Sequence, residues 1–195
     1  MKSIVVELQF HSPWHVSSGK GGGPAVDATV VKTAEGLPYV PGRAVKGLLR
    51  DAVGVAEANG AIAFGTMARL FGTDLDDAPV DELPARYSTS PGSLRFHSAT
   101  LPETWREAAL TEPGWAAEFY DVVAATALED GVALAGSLRT KEVVVPMRLT
   151  CEIKGPGDDD WVGPLREAMP LVRAAGAGRH RGYGRLTMQI AEVGR

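Results

Sequence analysis

An α+β fold built on one antiparallel sheet is what the order of apolar patterns predicts. The chain opens and closes on segments with strand character, two stretches between them have helical period, and the remaining extended runs lie between those two stretches. Lys2 to Phe10 comes first, with Ile4, Val6, Leu8 and Phe10 on one face of a half-buried strand that Pro13 ends. Residues 17 to 37 are rich in Gly and Ser and read as a mobile loop, with Ala28 to Lys32 as a short extended piece. After a turn at Pro41 and Gly42, the apolar positions Val45, Leu48, Leu49, Ala52 and Val53 recur at the spacing of an amphipathic helix. A connection rich in Ala, Gly, Asp and Pro follows at about 58–90, ordered at most over Ile62 to Phe71 as a second short helix. Ser93 to Thr100 reads as a strand, and Lys141 to Ile153 as one or two more, with Pro146 at a bend or an edge. Between them lies an insertion, about 101–140, carrying Trp105, Trp115, Phe119 and Tyr120. Leu165, Ala168, Met169 and Val172 give Val162 to Ala175 a helical pattern that Pro170 should kink. Arg185 to Val193 supplies the last strand. Strand, helix, strand, strand, helix, strand is the ferredoxin-like (RRM-like) order. The expectation is a single domain over 1–195 with an antiparallel sheet, two helices on one face and two long insertions.

Composition removes several classes of function. A chain of 195 residues with 45% hydrophobic and 23% charged side chains has the make-up of a folded protein with a real core. Its single cysteine, Cys151, excludes an internal disulfide and a multi-cysteine zinc site, and suits a reducing compartment. Glu7 interrupts the apolar run near the N-terminus before it could serve as a signal-peptide core. No apolar run approaches the roughly 20 residues that cross a bilayer, so a cytoplasmic location without membrane partners is expected.

Charge is unevenly spread. The net charge is −4, and acids crowd two segments, Asp74, Asp76, Asp77, Asp81 and Glu82 in one and Asp158, Asp159 and Asp160 in the other. Both read as solvated loops. By contrast, Ala168 to Ala191 holds no acid but contains Arg173, Arg179, His180, Arg181 and Arg185, and acid-free Gly36 to Arg50 contains Arg43, Lys46 and Arg50. An acidic chain with two basic patches has the pattern of local anion binding.

Two motifs fall on those patches. GAGRHRGYGRL, residues 176 to 186, sits between the last helix and the last strand. Its Gly178, Gly182 and Gly184 let backbone amides approach a ligand, and Arg179, His180, Arg181, Tyr183 and Arg185 offer charge and a ring suited to RNA. The plainer reading is a helix C-cap followed by a glycine turn with solvated arginines. In LPYVPGRAVKGLLR, residues 37 to 50, a turn feeds a helix whose Arg43, Lys46 and Arg50 form a separate stripe, so amides and charge could seat a phosphate. An ordinary basic helix face is the alternative. His11 and His15 are four apart, but Pro13 between them argues against a helical metal pair.

PGRAVKG and GAGRHRGYGR together resemble the RAMP superfamily of CRISPR-associated proteins, and LFG at 70 to 72, LRFHSATL at 94 to 101 and LRTKEVVVP at 138 to 146 follow in the same order. The resemblance implies ferredoxin-like domains that bind guide RNA. Within the superfamily, GGGPAVDATVVKTAEGLPYVPG is similar to the backbone subunit of type III (Csm or Cmr) effector complexes, which implies CRISPR RNA, complementary target RNA, copies of the chain itself and other effector-complex subunits as partners. It further implies a thumb-like hairpin in the 101–140 insertion and an aspartate that cuts target RNA, here Asp27 by position, deprotonating a 2′-hydroxyl or holding Mg2+. Without the resemblance, Asp27 is an aspartate accepting hydrogen bonds in a Gly-rich turn. His97 and Ser98 depart from the acid-before-alanine of many relatives. The superfamily also includes subunits that bind a guide without cutting, in capping positions or DNA-targeting complexes, and metal-independent ribonucleases that process CRISPR transcripts, for which His180 or His97 would be the catalyst.

Overall fold

The computed structural model describes residues 1–73, 89–112 and 114–191. Strand β1 (Lys2–Phe10) lies inside a four-stranded sheet because it pairs on both sides. It runs antiparallel to β7 (Arg148–Gly155), from Lys2 opposite Gly155 to Gln9 opposite Arg148, and to β8 (Leu186–Ile190), from Val6 opposite Ile190 to Phe10 opposite Leu186. On the far side of β7 the two-residue β2 (Arg95–Phe96) completes the order β2-β7-β1-β8. Helix α1 (Gly42–Ala58) connects β1 to the β2 side, and α4 (Val162–Ala168) connects β7 to β8. The predicted ferredoxin-like sheet is therefore present, its outer strands being the second and fourth of the six-element pattern.

The alternation read from the sequence sets the layers. Val6, Leu8 and Phe10, Leu149, Cys151 and Ile153, and Leu186 and Met188 are buried under Val45, Leu49 and Val53 of α1 and Leu165 and Ala168 of α4. Each Val, Leu, Ile, Phe or Met among them contributes roughly 1.5–3 kcal/mol when fully buried. Burial also pushes the Cys151 thiol up to about 12. The opposite sheet face carries Ser3, Val5, Glu7 and Gln9, then Arg148, Thr150, Glu152 and Lys154, then Thr187 and Gln189. No aromatic ring lies among them, so the base-stacking platform that RRM sheets present is not offered here.

Three predicted elements differ in extent. The Ser93 to Thr100 strand shrinks to β2 because its ladder with β7 is interrupted: His97 and Thr100 still donate to Glu152 and Thr150 at 3.0 and 2.9 Å, but Ala99 between them exchanges backbone hydrogen bonds with Val40 at 2.8 and 2.9 Å. That detour seats the start of α1, where a Cβ at Gly42 would overlap the Phe96 carbonyl. The last predicted helix stops at Ala168 and passes into a 3₁₀ turn, Met169–Leu171, because Pro170 brings no N–H to continue the ladder. The second short helix is α2 (Thr66–Phe71).

The 101–140 region holds α3 (Glu103–Thr111), a 3₁₀ turn at Trp115–Phe119 and β3 (Tyr120–Ala125), which pairs antiparallel with β6 (Arg139–Val144). Beyond them β4 (Leu128–Glu129) and β5 (Val132–Ala133) turn over Asp130 and Gly131, both at positive φ. Trp105 stacks on Trp115 and Trp115 meets Phe119, each with ring centroids 6.4 Å apart, so three of the four aromatics form a satellite cluster.

Of the acidic segments, Asp74 to Glu82 lies outside the described residues. The other is not a free solvated loop: Asp159 pairs with Arg69, and Asp160 accepts the Gly163 amide in the first turn of α4 at 3.1 Å. No helix among the described residues is long and apolar enough to cross a membrane.

Candidate nucleic-acid interface

The glycine-rich loop is a closed structure. Gly176 and Gly184 both have positive φ, +86° and +68°, and a Cβ there would overlap the carbonyl oxygens of His15 and Ala175 respectively. Only glycine fits both the dihedral and the contact. The Ala177 amide donates to the His15 carbonyl at 2.8 Å, Gly184 to Pro13 at 2.8 Å and Arg185 to the Ser12 hydroxyl at 2.9 Å. Arg181 and Tyr183 both donate to the Gly178 carbonyl, at 2.8 and 3.4 Å. These five amides hold the loop itself. What the loop presents is side chains: Arg179, His180, Arg181 and Arg185 are exposed. Among the described residues no carboxylate lies within ion-pair distance of Arg179, Arg181 or Arg185.

The segment expected as a mobile loop is strapped to β6. Thr140 donates its amide to Asp27 Oδ2 at 2.7 Å and accepts the Asp27 amide at 3.0 Å. Two residues on, Glu142 accepts the buried Val30 amide at 3.0 Å through Oε2 and the Lys32 ammonium at 2.7 Å through Oε1, while its own amide donates to Ala28. Lys32 also lies 3.8 Å over the Tyr120 ring, whose hydroxyl donates to the Gly36 carbonyl at 2.6 Å and is raised in pKa by burial and then by Glu142.

Strap and glycine loop meet in a cavity of about 650 Å³ lined by Asp27, Arg139, Thr140, Lys141, Arg181 and Tyr183 among others. Here Lys141 places its ammonium 3.7 Å above the Tyr183 ring. Burial, and then the charge of Arg181, hold that ammonium below the usual lysine range. One carboxylate faces several cations across a space open to solvent, which is a setting for an anionic ligand.

A family model described as RAMPs, the RAMP superfamily, matches residues 7–187. The chain belongs to the RAMP superfamily. This RAMP protein also resembles two solved structures over nearly all of its length. One is a chain of the type III-B Cmr-beta complex bound to cognate target RNA, with TM-score 0.66, 9% identity and 97% of each chain covered. The other is from the apo state of Cmr-beta, with TM-score 0.67, 10% identity and 98% of each chain covered. At these identities the likeness is one of fold. No curated protein matches the chain in sequence.

The RAMP fold brings some of the sequence candidates together and parts others. Asp27, Arg181 and Tyr183 share the 650 Å³ cavity, and Gly178 packs against the Tyr183 ring and the Lys141 ammonium. Arg179 and His180 line a different hollow of about 530 Å³ against Leu48, Asp51 and Val55 of α1. Lys46 lies on the other flank of α1, against Phe71, Gly72 and Ser90. Lys46 and the loop's Arg179 and His180 thus line different hollows. At the α1 start the Gly42 amide donates to the Ser98 hydroxyl at 3.2 Å, and those of Ala44 and Val45 donate to the Pro41 carbonyl. His15 is buried and donates from Nδ1 to the Glu142 carbonyl at 2.6 Å, His11 bonds the Thr187 hydroxyl, and His97 sits 3.9 Å from Glu152. Among the described residues no cluster of three metal-ligating side chains exists.

A protein-held Mg2+ does not fit the donors in the Asp27 cavity. Among the described residues Asp27 is the one carboxylate lining it, Oδ2 is already held by Thr140, and Arg139, Lys141 and Arg181 line the same space. Mg2+ bound through a single carboxylate draws its remaining ligands from water and substrate phosphates. Lys141, Thr140 and Glu142 are the site residues that sequence reasoning missed, although all three lie within the motif LRTKEVVVP.

Proposed function

We propose that this RAMP protein is an RNA-binding backbone subunit of a type III-like CRISPR effector complex in the cytoplasm. In this reading it is laid along a CRISPR RNA guide with copies of itself and other subunits, and it cuts target RNA paired to the guide at Asp27. The observation that carries the reading is the shared cavity: the one aspartate the family resemblance selects lies beside Arg181 and Tyr183 of the glycine loop. The likeness in fold to subunits of Cmr-beta, one of them bound to cognate target RNA, supports it.

The chemistry follows from what the side chains can do. Arg179, Arg181 and Arg185 hold guide phosphates without reading sequence, and base pairing selects the target. Asp27 keeps Oδ2 on Thr140, while Oδ1 has no partner among the described residues. That oxygen accepts the proton of a ribose 2′-hydroxyl, which then attacks the adjacent phosphorus as an internal nucleophile. The thumb-like role of the β3–β6 hairpin belongs to the same proposal: exposed Leu128, Val132 and Leu138 near its tip give it apolar side chains to set against bases.

The test is reconstitution with guides of increasing length and an end-labelled complementary RNA. The reading expects oligomers whose mass grows with guide length and cuts confined to the paired region. A strict monomer at every length sinks the backbone role, and an intact target on assembled filaments sinks the cleavage role.

A further inference from the structure

We infer that Lys141 is a further catalytic residue of the Asp27 cavity, donating a proton to the 5′-oxygen that departs when the RNA chain is cut. The inference rests on the cleavage reading above.

Three observations place it. Lys141 stands in β6 between Thr140, which holds Asp27, and Glu142, which holds Val30, so its backbone is fixed on both sides relative to the aspartate. Its side chain lines the same cavity of about 650 Å³ as Asp27 and makes no ion pair with it, so neither head neutralises the other. The Tyr183 ring fixes the far end of the side chain from below, at 3.7 Å. In-line displacement at phosphorus needs a base at the entering oxygen and an acid at the leaving oxygen, on opposite sides of the reacting atom, and a carboxylate and an ammonium across a gap supply both.

The neighbouring cations cannot take this role. Arg139 and Arg181 are guanidinium groups, which stabilise charge but do not give up a proton in proteins. Lys141 is the amine among them, and burial and then Arg181 lower the pKa of its ammonium, so the proton is given up more readily than from an ordinary lysine. The step balances without an oxidant or a further reactant. Asp27 Oδ1 takes the 2′-hydroxyl proton, the O2′–P bond forms, the P–O5′ bond breaks and O5′ takes a proton from Lys141 Nζ. The products are a 2′,3′-cyclic phosphate and a 5′-hydroxyl, and proton transfer from Asp27 to Lys141 through solvent restores the starting state.

The experiment uses the guide-loaded protein and two target RNAs, one ordinary and one in which sulfur replaces the bridging 5′-oxygen, since a thiolate leaves without a proton. Lys141→Arg keeps the cation over Tyr183 and removes the transferable proton. It should cut ordinary RNA slower by about 100-fold or more, and cut the sulfur-bridged RNA within roughly threefold of the wild-type rate, a loss specific to one step. Guide and target affinities should stay within a few-fold. Lys141→Met gives the same comparison if the arginine disturbs folding, judged by circular dichroism. Wild-type cleavage of ordinary RNA by both variants overturns the inference, as does equal slowing on both substrates, which is the signature of a residue that only positions the glycine loop. If wild-type protein cuts neither RNA, the cleavage reading itself falls and Lys141 with it.

Discussion

Asp27 and Thr140 hold each other twice, through the Thr140 amide on the Asp27 carboxylate at 2.7 Å and the Asp27 amide on the Thr140 carbonyl at 3.0 Å. One oxygen of the proposed base is therefore a structural acceptor that pins the strap to β6, and the other has no partner among the described residues. Bracing and chemistry fall on different atoms of one side chain, so different substitutions separate them.

Asp27→Asn keeps a carbonyl oxygen for Thr140 but cannot take a proton. It should lower cleavage by about 10²–10⁴-fold with guide affinity within a few-fold. Asp27→Ala removes the brace as well and should also loosen the strap, seen as faster proteolysis in residues 17 to 37. Single-turnover cleavage at wild-type rate in Asp27→Asn assemblies would leave Asp27 a purely structural residue.

Glu142 is a second clamp on the same strap, and its worth is measurable without RNA. Val30 is buried at 2% exposure and its amide donates to Glu142 Oε2, so Glu142→Ala strands a buried donor. The cost should be about 1–3 kcal/mol in urea unfolding. Glu142→Gln, which keeps an acceptor, should recover most of it, and equal destabilisation in both variants would move the effect to the Lys32 ion pair.

The parts of this fold that were legible in the sequence are those fixed by local period. Ile4, Val6, Leu8 and Phe10 alternate because one sheet face packs against helices and the other does not, and Pro170 announces the end of α4. What escaped was decided by distant partners. Ser93 to Thr100 has strand character throughout, yet Ala99 turns out of the β7 ladder to bond Val40, a choice no local pattern records. The cavity escaped for the same reason: Asp27 and Thr140 are 113 residues apart, and a lysine in a strand says nothing about what faces it. The glycine loop was legible as a motif but not in its wiring, because only the folded chain shows that its Ala177, Arg181, Tyr183 and Gly184 amides are taken by the carbonyls of His15, Gly178 and Pro13.

That wiring makes Gly184 intolerant of a side chain. Its φ is +68° and an added Cβ would overlap the Ala175 carbonyl. Backbone strain and overpacking cost about 1–3 kcal/mol each. Gly184→Ala should thus be destabilised by roughly 2–6 kcal/mol, read from denaturant midpoints. Gly182 also has positive φ but meets nothing within 4 Å, so its alanine variant should cost clearly less.

Guide binding should follow the loop's arginines. Reversing Arg179 and Arg181 to Glu replaces attraction with repulsion at two phosphates. The complex should weaken, and the slope of log affinity against log salt should flatten by about 0.7 for each phosphate no longer neutralised. Lys46→Glu, on the opposite flank of α1, should shift the same slope independently and additively. An unchanged slope in the loop variant would reduce GAGRHRGYGR to a solvated turn.

Mg2+ should leave the RNA-free protein unmoved. Among the described residues Asp27 is the single carboxylate of its cavity and its Oδ2 is committed to Thr140, so the cavity lacks the donors to hold the ion before RNA brings phosphate oxygens. A resident site saturated 100-fold above its dissociation constant would add about 2.7 kcal/mol of stability, an easily read rise in thermal midpoint. Millimolar Mg2+ or a chelator should produce no such rise or fall by differential scanning fluorimetry. A Mg2+-dependent rise that Asp27→Asn removes would establish a protein-held ion and return the metal to the centre of the chemistry.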